Sequence, residues 1–156
     1  MLRRQCIALA ATAFLPLRAL AHHGWSSFDL DKPIYLEGRA DKVAWRNPHA
    51  ELMLQVAPDL RVPADLPSRK APAQSAGVDG AKIFAAARPP ARREKVWEIE
   101  LAPLTRMEAW KVAEIKPGQT IAVIGYTQPG EQGEPVLRAE YLFADGKIYG
   151  LRSSPA

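Results

Sequence analysis

One stretch constrains this chain more than any other: residues 58–94, where Pro58, Pro63, Pro67, Pro72, Pro89 and Pro90 fall among many alanines. Each proline fixes φ and removes a backbone donor, so neither a long helix nor a central strand can run through the segment. Its basic residues Arg61, Arg69, Lys70, Lys82, Arg88, Arg92 and Arg93 outnumber Asp59, Asp65, Asp79 and Glu94. That composition predicts a largely disordered insertion between two strands. One short helix, from Asp79 to Arg88 and carrying Ile83 and Phe84, is the local exception.

The regular patterns lie on either side. From Pro33, Ile34, Leu36, Gly38 and Ala40 alternate with Tyr35, Glu37, Arg39 and Asp41, which is the period of a half-buried strand. The phase breaks at Asp41-Lys42, where Val43 and Trp45 turn apolar, so a bulge or sharp bend is expected there. Asn47-Pro48 marks a turn, and His49 opens a second strand in which Ala50, Leu52, Leu54 and Val56 share a face. After the insertion, Trp97, Ile99 and Leu101 alternate with Glu98 and Glu100. Thr105 with Glu108 reads as a capping box for a short helix bearing Leu104, Met107 and Trp110 toward the core. Ile121 to Gly125 and Val136 to Phe143 are further strands, and Asp145-Gly146 is a hairpin signal into Ile148 to Leu151. A helix between the third and fourth of five strands is the order of an OB-fold, so the expected fold is all-β, a small OB-like barrel of five to six strands. A flat sandwich is the alternative.

Residues 1–21 have the form of a secretory signal peptide, with Arg3 and Arg4, an apolar run from Cys6 to Leu17, and a small-x-small ending at Ala21. The expected product is one exported, periplasmic domain over residues 22–156, with no membrane span once the leader is cut. Loss of Arg3, Arg4 and Arg18 lowers Lys+Arg from 21 to 18 against 17 Asp+Glu, a formal charge of +1. Such a balance gives no electrostatic case for a nucleic-acid partner. The one cysteine, Cys6, leaves with the leader, which removes disulfide and thiolate chemistry.

Cleavage after Ala21 would also make His22 the first residue, with a free α-amine beside its imidazole. His23 follows, and His49 is the remaining histidine. An amine and two imidazoles form a three-nitrogen histidine brace, which suits copper by ligand type and geometry. In that reading His22 gives two nitrogens and His49 the third, with His23 or Asp29 as an outer or weak ligand. A local variant uses the His22 amine with the amide and ring of His23. The bland readings are a frayed start and a His49 ring packed against its turn. Nothing declares an enzyme: there is no Gly-x-Ser-x-Gly, no phosphate-cradling loop and no Cys/His pair.

The other class is a metal-free module that serves another envelope protein. OB-like barrels bind ligands on the face of strands two and three. Here that face would carry Glu51, Met53, Gln55, Glu98 and Glu100, which favours a cationic ligand or a protein. The basic insertion is a candidate flap over it.

Ala21-His22-His23-Gly24, Phe28-Asp29 with Lys32, and Trp45-Arg46-Asn47-Pro48-His49 resemble a secreted bacterial family catalogued as domain of unknown function 6152. Trp97 to Leu101, Arg106-Met107 and Pro117-Gly118-Gln119 also fit its pattern, whereas the insertion at 58–94 departs from it. The resemblance implies export and a small β-rich domain, and it transfers no catalytic residue.

Overall fold

A computed structural model describes residues 24–156; His22, His23 and the leader lie outside the described residues. Alternation becomes strand where it was clearest. Strand β1 (Ile34–Ala44) pairs antiparallel with β2 (Glu51–Val56), which pairs with β3 (Val96–Glu100). Strand β4 (Thr120–Tyr126) flanks β1 on its other edge and pairs with β5 (Val136–Ala144). The start of β5 then runs parallel to β3 and closes a five-stranded barrel, while its end carries the short β6 (Lys147–Gly150). The order around the barrel is β1-β2-β3-β5-β4, with helix α2 (Leu104–Ala109) between β3 and β4. This is the expected OB-like arrangement.

The expected break in β1 is present: its register with β2 shifts between Asp41 and Ala44, and Lys42 has φ 44°. The Asp145-Gly146 turn has φ 51° and 71°, the left-handed pair a tight hairpin needs. Inside the barrel, Leu36, Leu54, Trp97, Ile99, Val123 and Leu137 are fully buried, and Met107 of α2 packs with them. The capping box is not used. Helix α2 begins at Leu104, so Thr105 lies inside it, and the free Leu104 N–H is instead capped by Asn47 Oδ1 at 3.1 Å. A side chain from 57 residues upstream outcompetes the local cap because the turn at Asn47 packs against the helix start.

The larger correction concerns residues 58–94, which are folded onto the barrel rather than disordered. Asp79 caps helix α1 (Gly80–Ala86) by accepting the Lys82 N–H. Leu66 and Phe84 are buried to 0% and 1% exposure, forming a second core with Tyr35, Ala122, Ile124 and Tyr141 on the outer side of β1, β4 and β5. Phe84 meets the Tyr141 ring edge-to-face at 4.9 Å. Backbone bonds from Tyr35 N to Arg88 O and from Ser75 N to Ser154 O tie the segment to β1 and to the C-terminal tail. Two widely spaced apolar residues leave no periodic signal, yet they match an apolar outer face that exists only after the barrel closes. The flap therefore covers this face and not the acidic one expected. Among the described residues no helix is long and apolar enough to cross a membrane.

Candidate functional site

The turn between β1 and β2 sets the position of His49. The Asn47-Pro48 peptide is cis, Asn47 holds the start of α2, and Ala50 exchanges backbone bonds with Leu101 and Ala102. His49 is thereby left half-buried at the rim where β2, β3 and β5 meet. Cross-strand register places Glu51 opposite Glu100, Glu100 opposite Arg138, and Arg138 opposite Tyr126. One row of outward side chains thus runs across four strands.

Arg138 is the hub of that row. Its Nη1 donates to Glu100 Oε2 at 3.0 Å, both side chains being about nine-tenths buried. Its Nη2 lies 3.3 Å from His49 Nε2. A guanidinium has only donors, so in this contact His49 Nε2 is on the accepting side. The guanidinium carbon also sits 5.0 Å from the ring of Trp25 in the N-terminal arm. That arm turns once at Trp25–Ser27, buries Phe28, and donates Asp29 N–H to Thr127 O at 2.9 Å.

A second arginine completes the surround. Arg152, just after β6, lies 4.3 Å from the Trp25 ring and donates from Nε to Glu140 Oε2 at 2.7 Å. Glu140 is fully buried and also accepts from Gln74 Nε2 of the insertion. Glu140 projects outward where the β4–β5 register shifts, and Gly125 there has no room for a Cβ, which would stand 2.2 Å from Arg138 O. Burial, and then the Arg138 charge, push the Arg106 guanidinium below its usual value. Burial foremost, then the neighbouring carboxylates Glu51, Glu100 and Glu134, raise the Glu98 carboxyl.

Among the expected site residues, His49 faces this cluster. Asp29 does not: its carboxylate pairs with Lys32 at 3.3 Å and accepts the Asp31 N–H. Among the described residues no three His, Cys, Asp or Glu side chains converge as a metal group. The acidic face is also less open than expected, since Glu100 is buried in its ion pair and Glu98 is half-buried. Sequence reasoning missed Arg138, Arg152, Glu100 and Glu140 as a unit. A signal was present in Val136-Leu-Arg-Ala-Glu140, where two opposite charges alternate with apolar residues in a strand, but its partners lie 38 and 12 positions away.

Fold and site together define an OB-like barrel fronted at this rim by its own N-terminal arm, with an arginine joining arm to histidine. Residues 9–61 match the model of a family of unknown function, DUF6152, the same family that the His-His-Gly and Asn-Pro-His motifs resemble. No curated protein and no solved structure matches the chain significantly.

Proposed function

We propose that this is an exported metal-binding protein of the cell envelope, a carrier or accessory rather than a catalyst. It takes a transition metal, copper first, through His22, His23 and His49. One observation carries the reading: Trp25 stacks on Arg138, and Arg138 contacts His49. Trp25 is three residue steps from His22, and an extended chain spans at most about 3.6 Å per step. The start of the mature chain is therefore tethered within about 11 Å of the Trp25 backbone. An imidazole ligates a metal through an unprotonated nitrogen, and His49 Nε2 is the nitrogen that faces Arg138. Copper takes that lone pair and leaves Arg138 to Glu100 and Trp25. Asp29, engaged with Lys32, serves at most as an outer partner.

The test is a copper titration of two matched chains, one beginning at His22 and one with a single glycine before it. An amine-led chelate loses at least tenfold in affinity with the glycine, about 1.4 kcal/mol, and His49→Ala weakens it as well. Equal, weak binding by both chains refutes the chelate. The second reading is a metal-free module that engages another envelope protein. The guanidinium already seated on His49 Nε2 favours it.

A further inference from the structure

The docked insertion leaves a cleft of about 390 Å³ where it meets the N-terminal arm and the barrel. Small-molecule sites span roughly 300–1,000 Å³ and pair mostly apolar linings with a few orienting polar groups. Here the arm supplies Leu30 and Pro33, the insertion Val78 and Ile83, and the barrel Tyr126 and Arg152. Leu30 is 38% exposed, the one large apolar side chain left open to solvent among the described residues. An exposed leucine beside an apolar cleft is surface that a ligand would cover.

The charge of that ligand is set by Arg152. A guanidinium carries five N–H donors. Glu140 Oε2 takes two of them, from Nε at 2.7 Å and from Nη2 at 2.5 Å, and the Tyr126 hydroxyl accepts a further one. Glu140 is fully buried and the Trp25 ring centroid lies 4.3 Å from the guanidinium carbon, so the group is held in place. Its side chain is still one-quarter exposed, with donors left over. The other charges of the cleft, Asp31, Asp79 and Lys82, are all exposed. Asp79 is spent on the helix cap, where it accepts the Lys82 N–H. Asp31 and Lys82 offset each other and are screened by salt. A half-buried, preorganised guanidinium therefore decides the selectivity, and its strong partners are carboxylates. We propose that the cleft binds a small amphiphile, an apolar chain ending in a carboxylate. The carboxylate meets Arg152, and the chain lies along Leu30, Pro33, Val78 and Ile83. The site shares no residue with the metal reading above.

The experiment titrates octanoate, and octanol as its uncharged counterpart, into the isotopically labelled protein and follows backbone amide shifts. Octanoate should give saturable shifts gathered at residues 30–33, 76–86, 126 and 152, with a Kd below about 1 mM. Octanol should bind at least tenfold more weakly. Ala86 is exposed and lines the cleft, so Ala86→Trp fills it without touching the core and should weaken octanoate at least tenfold. Lys82→Met should leave the affinity within about threefold. Near-UV circular dichroism first establishes that both variants are folded. Shifts that do not saturate, or that scatter over the surface, overturn the site. Equal binding of octanol and octanoate overturns the Arg152 anchor, and so does loss of octanoate binding in Lys82→Met. Undiminished binding by Ala86→Trp places the ligand elsewhere and refutes the assignment.

Discussion

The insertion and the N-terminal arm both looked loosely attached in sequence, and both are docked on the barrel by opposite means. The insertion is held by apolar burial: Leu66 and Phe84 are shut into a second core, and its many charges stay mostly at the surface. The arm has one buried apolar anchor, Phe28, and otherwise relies on Trp25 held by two arginines whose own carboxylates are buried. Apolar burial is non-directional and insensitive to small shifts. Paired charges are directional, and removal of one partner strands the other. The insertion is thus held by contacts that tolerate small shifts, and the arm by contacts that fix the direction of its approach.

The comparison can be broken most forcefully at Phe84. Phe84→Ala should lower stability by about 3–5 kcal/mol and open residues 58–94 to limited proteolysis. An unchanged denaturation midpoint would mean that the insertion is only draped on the barrel. Arg152→Met tests the other side. With Glu140 left buried and partly uncompensated, we expect a loss of about 3 kcal/mol, read by urea unfolding. Arg152 retains some solvent contact, which places the effect at the low end of that range. Trp25→Ala should cost only about 1–2 kcal/mol, two partly desolvated cation–π contacts, and hydrogen exchange should quicken at Phe28 and Asp29 with no change at Phe84. Protection lost at both regions would show that arm and insertion form one unit.

The smallest effect sharpens the electrostatic side. Glu98 titrates above its ordinary value in the folded chain, first by burial and then by repulsion from Glu51, Glu100 and Glu134. A carboxyl raised on folding contributes stability below its unfolded pKa and loses it as pH rises through the folded one. Glu98→Gln should therefore match the unaltered protein near pH 4 and exceed it slightly at pH 7. The gain should be a few tenths of a kcal/mol because the group is partly solvated. Thermal melts at the two pH values decide it, and a variant less stable at pH 7 would contradict the assignment.

Most of the barrel was legible in the sequence, and the reason is geometric. Strand faces follow a period of two, so Leu52, Leu54, Trp97 and Ile99 declared their inward side without knowledge of any partner. The bulge at Asp41-Lys42 and the Asp145-Gly146 turn were legible for the same reason, since each is fixed by residues adjacent in the chain. His49, expected as the first residue of the second strand, lies two residues before β2 and is half-buried at the rim. The cap on α2 was misread because Asn47, far upstream, replaced the local Thr105.

By itself, then, the sequence determined the strands, their inward faces, the helix between β3 and β4, and the OB-like order, all set by local periodicity and turn chemistry. Only the tertiary structure decided where residues 58–94 lie and which charges are paired. Those outcomes depend on faces that come into being when β3 meets β5 and closes the barrel. Arg138 meets Glu100, His49 and Trp25 across 38, 89 and 113 positions of chain. No local pattern encodes a contact at such separations; it follows from the register of four strands and the single turn that brings the arm back.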